Sequence, residues 1–118
     1  MTITQNLNAG RVTRLVNDRF WQHTYASDVA STIWQLLEVG KKEEIYHVAS
    51  DVSLSLYEFG LKVAKHHKKN INLIQPMWSE ELPAGTAPRP IDTTFDLSKI
   101  HGLGISCRGV KEGLKAIK

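Results

Sequence analysis

The nine residues Leu82-Pro83-Ala84-Gly85-Thr86-Ala87-Pro88-Arg89-Pro90 hold three of the chain's four prolines and one of its glycines. Proline has no N–H for a helix or a ladder, and it drives the residue before it out of the helical region. This stretch therefore has to be an extended surface loop, and regular structure must be built on either side of it. Overlapping its end, Arg89 to Ile100 reads as stiffened loop, a short extended segment, then a helix capped by Asp96.

The flanking segments alternate in period. Thr2 to Ala9 reads as the last turns of a helix with Gly10 as its stop. Arg11 to Val16 alternates polar and apolar, which predicts a short strand. Asn17-Asp18-Arg19 turns the chain into a dense aromatic loop of Phe20, Trp21, His23 and Tyr25. Ser27 or Asp28 then caps a helix to about Glu38, with Val29, Ile33, Leu36 and Leu37 on one face and Trp34 at its border. Ile45 to Ala49 predicts a short strand buried on both faces. Ser55-Leu56-Tyr57-Glu58 has capping-box spacing, and the helix it opens carries Leu56, Phe59, Val63 and Ala64 inward as far as about Lys69. Ile71 to Gln75 predicts another strand, and Val110, Leu114 and Ile117 one face of a small terminal helix. Helices alternating with short strands define an α/β class. A length of 118 residues suits one domain.

Composition narrows the function. Fifteen Lys and Arg against twelve Asp and Glu make a mild excess. It suits a polyanionic small molecule and falls short of a nucleic-acid signature, so no nucleic-acid partner is expected. Cys107 is the single cysteine, which excludes an internal disulfide and makes a reducing cytoplasm the default. No apolar run reaches the roughly 18 residues of a membrane span, and no signal peptide opens the chain, so no membrane partner is expected.

Two groups of residues could bind a ligand. Arg89 offers a planar fork of donors that matches phosphate oxygens, on a backbone already fixed by Pro88 and Pro90. The competing reading pairs it with Asp92 or Asp96 as a clamp on the loop. Trp21 and His23, with Gln22 and Tyr25, offer flat rings for a base or a sugar face. Against this stands the simpler role of wedging the loop on the core. His66 and His67 point about 100° apart on a helix and cannot chelate one ion without further ligands, so no metal site is expected. Gly102-Leu103-Gly104 begins like a dinucleotide loop, but Cys107 stands where the third glycine belongs. No catalytic residue is assigned.

Three motifs carry a resemblance. Arg89-Pro90 ahead of Asp96-Leu97-Ser98-Lys99 resembles the closing motif of the dTDP-4-dehydrorhamnose reductase family, within the extended short-chain dehydrogenase-reductases. His23-Thr24-Tyr25-Ala26-Ser27-Asp28-Val29-Ala30 is similar to that family's Pro-Thr-Tyr-x-x-Asp-Leu-Ala, departing from it at His23. Ile45-Tyr46-His47-Val48-Ala49-Ser50, followed by Leu54-Ser55-Leu56-Tyr57-Glu58-Phe59, is the third. The resemblance implies the C-terminal substrate-binding portion of such a reductase or epimerase, with Rossmann half and NADP or NAD elsewhere. It implies Arg89 on the diphosphate of a nucleotide-linked sugar, and residues 1–10 as the tail of a helix from the missing N-terminal half. Such enzymes use a Gly-rich turn and a Tyr-x-x-x-Lys pair. Here Val29, Ser50 and Leu61 stand four residues after Tyr25, Tyr46 and Tyr57, and no Gly-x-x-Gly-x-x-Gly occurs. The chain is therefore expected not to be catalytic alone, and to pair with the missing half or with itself. A non-catalytic regulatory module of the same fold is one alternative. A small basic nucleic-acid-binding domain using Lys62 to Lys69 is the other.

Overall fold

A computed structural model describes residues 2–117. Its elements are α1 (Ile3–Asn8), β1 (Thr13–Val16), β2 (Phe20–Gln22), α2 (Ala26–Val39), β3 (Ser53–Ser55), α3 (Leu56–His66), β4 (Ile74–Met77), α4 (Ser98–His101) and α5 (Val110–Ala116). The α/β class is as expected. Short 3₁₀ turns at Ile71–Leu73 and Ser79–Glu81 flank β4. β1 and β4 run parallel, with Thr13 opposite Ile74 and Val16 opposite Met77, and β2 pairs with β3 in a second two-stranded sheet.

The chain divides into two compact units. The first gathers the chain up to Trp21 with Leu54–Thr93. Its core is Leu7, Leu15, Val63, Ala64 and Ile74, where α3 lies on the β1–β4 pair. Gly60 makes that approach possible, because a Cβ there would run into the Leu15 side chain and crowd Ile74. α1 starts on a capping box of Thr2 and Gln5, and Gly10 follows it at φ +65°. The second unit gathers Gln22–Ser53 with the chain from Thr94. Ala49, Leu97, Ile100 and Ile105 form its centre, with Leu36, Tyr46, Val48 and Leu103 packed against them.

Several expectations need correction. The strand read over Ile71 to Gln75 is a 3₁₀ turn at Ile71–Leu73 followed by β4, and Ile117 lies past the end of α5 and is exposed. Phe20 to Gln22 is a strand rather than part of an aromatic loop. Ile45 to Ala49 forms no strand: only Ser50 makes a bridge, to Cys107, and Ile45 is exposed. Asp96 does not cap α4 directly; its Oδ1 accepts from Ser98 N at 2.8 Å, one turn position short of a cap. α2 begins at Ala26 with Tyr25 in the cap position and no side-chain cap bond. Asp28 instead faces inward and takes Arg108, whose Nε and Nη2 reach its Oδ1 at 2.9 and 2.5 Å. The apolar face read on α2 does exist, but Ile33 and Leu37 point to solvent. The inward positions of that helix are Asp28, Thr32 and, half-buried, Val29 and Leu36.

Candidate functional site

β1 delivers the chain to Asn17-Asp18-Arg19 at the edge of the first unit, and the side chains there are tied down. Asp18 accepts from the Ser79 hydroxyl at 2.7 Å and from Ser79 N at 3.1 Å. These bonds, the Ser79 hydroxyl first, hold its carboxyl below the ordinary value of 3.8. Asp18 therefore pins the segment after β4 to the segment after β1. Arg19 Nη1 donates to the Asp18 carbonyl at 2.8 Å and to its Oδ2 at 3.2 Å. Its Nε is buried with no hydrogen-bond partner among the described residues. Farther along, Phe20 N donates to Ile91 O at 2.9 Å and Thr93 N to Phe20 O at 3.0 Å, which anchors the far end of the proline loop.

Between these anchors the loop bows outward. Gly85 turns it at φ +87°, a conformation suited to glycine, and Thr86 closes the turn on the Pro83 carbonyl. The result is a cavity of about 410 Å³ in the first unit. Val16, Arg19, Trp21 and Leu56 form one wall, and Ser79, Glu80 and the run from Leu82 to Arg89 form the other. Arg19, Arg89 and Trp21 thus line one cavity, whose volume lies in the range of small-molecule sites. The loop has the extended, exposed character read from its prolines.

Trp21 and Arg89, two of the three candidates named from sequence, line this cavity together. Arg89 is exposed and has no ion pair among the described residues; Asp96 is engaged with Ser98. His23 is not among the lining residues, and its carbonyl accepts from the Ser50 hydroxyl at 3.0 Å. Thr24 works beside it, its hydroxyl accepting from Ser50 N at 3.0 Å and donating to Gln22 O at 3.1 Å. Arg19 is the residue that sequence reading passed over as part of a turn. The signal was its spacing: residues 19 and 21 share one side of an extended segment.

The residues present do not fit a dinucleotide. Such a cofactor needs a strand that opens through a glycine turn onto a free helix N-terminus. Among the described residues β2 leads into α2 through His23-Thr24-Tyr25, which holds no glycine, and β3 runs straight into α3 with no turn between them. There Ser55 Oγ accepts from Glu58 N at 3.1 Å and Glu58 Oε2 accepts from Ser55 N at 2.8 Å. A carboxylate already holds the place a phosphate would need.

The fold is a small α/β fold that matches the substrate-binding portion of reductases. The model of the RmlD substrate binding domain matches residues 1–118, and the chain belongs to that family. It is 31% identical over 106 residues to methionine adenosyltransferase 2 subunit beta of Xenopus tropicalis, a match covering 80% of this chain and 31% of that protein. The dTDP-4-dehydrorhamnose reductase of Bacillus anthracis, solved with NADP, superposes with a TM-score of 0.84 at 24% identity. That match covers 96% of this chain and 40% of that one. The Clostridium acetobutylicum reductase gives 0.78 at 20% identity, with 96% and 41% covered. The chain thus spans about two-fifths of these solved reductases and about a third of the curated relative.

Proposed function

We propose that this domain grips a nucleotide-diphosphate sugar for an NADP- or NAD-dependent reductase resembling dTDP-4-dehydrorhamnose reductase. The observation that carries the reading is the convergence of Arg19, Trp21 and Arg89 on one cavity, with Arg19 Nε buried and unpartnered. A buried donor without an acceptor costs about 1–3 kcal/mol, which a phosphate oxygen would return. Arg89 supplies the second fork from the loop, and the Trp21 ring is the flat surface for base or sugar. No acid–base pair of a reductase stands on this chain, so hydride transfer belongs to a cofactor-binding half outside it. A cytoplasmic setting suits a charged nucleotide ligand.

Calorimetry with dTDP-glucose, dTDP and free glucose tests this. Saturable binding of the first two, and none of glucose, is the expected result. Equal silence from all three discards the site.

A second reading has one observation in its favour. The relative at 31% identity is, by its name, a subunit of a methionine adenosyltransferase. A reductase-like domain acting as a non-catalytic interaction module would bind a protein and leave dTDP-glucose alone, so the same titration separates the two.

A further inference from the structure

Asp18 is not among the residues that line the cavity, yet it bonds to two that are. Arg19 lies on one wall and Ser79 on the other. A carboxylate one bond away from an arginine offered to a phosphate works against anion binding, because like charges repel at such range. Nor does the pair add much to stability, since both of its side chains are partly exposed to water. The effect of this carboxylate lies in its geometry.

Ser79 fixes the carboxylate with two donors, its hydroxyl to Oδ2 at 2.7 Å and its N–H to Oδ1 at 3.1 Å. The carboxylate so fixed then takes Arg19 by one nitrogen. Nη1 donates to the Asp18 carbonyl at 2.8 Å and to Oδ2 at 3.2 Å. An arginine Nη1 carries two hydrogens, and both are used in these two bonds. They leave untouched the Nε–Nη2 edge, whose parallel N–H groups match two oxygens of one phosphoryl group. Nε on that edge is buried with no hydrogen-bond partner among the described residues.

We propose that Asp18 is a positioning residue, which holds Arg19 by Nη1 so that the Nε–Nη2 pair takes one phosphoryl group of the ligand side-on. This rests on the nucleotide-sugar reading given above. With Nη1 engaged, the end-on fork of Nη1 and Nη2 is closed, and a single phosphoryl group bound through two oxygens is the chemistry that fits. An arginine already held in its binding rotamer also loses little further freedom when the phosphate arrives. The bonds from Ser79, its hydroxyl first, keep the Asp18 carboxyl below its ordinary 3.8. The hold on Nη1 is therefore in place at neutral pH.

Calorimetry with dTDP-glucose on the parent, Asp18→Asn, Arg19→Ala and the double variant is the test. Asp18→Asn keeps the shape but sets a donor against either Ser79 or Arg19. It should weaken binding about tenfold, because a displaced arginine forfeits a charge-assisted contact. With Arg19 already alanine, the same change should weaken binding less than about twofold or strengthen it slightly, since effects routed through one side chain do not add. Ser79→Ala loosens the carboxylate without altering its charge, and should weaken binding about threefold only where Arg19 is present. That variant decides the matter if Asp18→Asn does not fold, as its melting curve would show. Stronger or unchanged binding by Asp18→Asn in the parent background makes the carboxylate a bystander charge and overturns the proposal. An equal loss in both backgrounds assigns Asp18 to the wall rather than to Arg19, and overturns it too. A parent that binds no dTDP-glucose is a different failure, because it removes the nucleotide-sugar reading and this inference with it.

Discussion

Arg89 shows how far a single residue can be read. Its fork of donors and its two flanking prolines are local and could be read from the sequence, and the structure lines a cavity with it and gives it no ion pair among the described residues. On the proposed function, Arg89→Ala removes one or two charge-assisted bonds worth roughly 1.5–3 kcal/mol each. Calorimetry should then show nucleotide-sugar binding weakened at least tenfold. Arg89→Lys should restore part of the loss, since a point charge cannot reproduce a fork, and Lys68→Ala should change little. If Arg89→Ala binds like the parent and melts earlier, the residue serves the loop alone. Arg19 escaped notice because a side chain's burial and missing partner are properties of the folded molecule. Asp28 was legible as important and misread in role, because the Arg108 that claims it lies 80 positions away.

That pair also sets a pH dependence. The Arg108 hydrogen bonds hold the Asp28 carboxyl below its ordinary 3.8. A depressed carboxylate adds stability above the unfolded value and loses it as pH falls through the folded one. Thermal melts should therefore place Asp28→Asn below the parent at pH 7, with the gap closing below about pH 4. A gap that persists unchanged at pH 2.5 would assign the effect to packing.

Among the elements, α3 was the most legible, because its signals are local. The capping box at Ser55 and Glu58, and the inward run of Val63 and Ala64, need only neighbours within one turn. Ser55 also donates to Asn17 Oδ1 at 2.9 Å and is fully buried. Ser55→Ala should lose the cap and strand that acceptor, costing about 1–2 kcal/mol by chemical denaturation. Ser55→Thr should keep most of it, and an unchanged midpoint for Ser55→Ala would refute the account. α2 was legible in extent and misread in orientation. Periodicity finds an apolar stripe without saying what it faces. Ile45 to Ala49 failed for a related reason: an apolar run becomes a strand only where another backbone completes its ladder.

For the whole molecule, alternation of helix and strand gave the α/β class, and three motifs gave the family. The division into two units was not legible, since each is assembled from stretches separated in sequence and no linker marks the boundary. Cofactor binding is a property at this scale. With Glu58 closing the N-terminus of α3, titration with NADH or NADPH should show no saturable micromolar change in nicotinamide fluorescence. Tight binding would mean that phosphate is cradled by some other turn.

The proline loop has one more consequence, for protease digestion. Exposed loops of this length are preferred sites of nicking. Yet Leu82–Pro90 holds one basic residue, Arg89, and the peptide bond after it leads into Pro90. Trypsin cuts after Arg and Lys but spares bonds to proline. This wall of the cavity should therefore outlast the exposed lysines at the end of α3, leaving the candidate site uncut on the larger fragments of a brief tryptic digest.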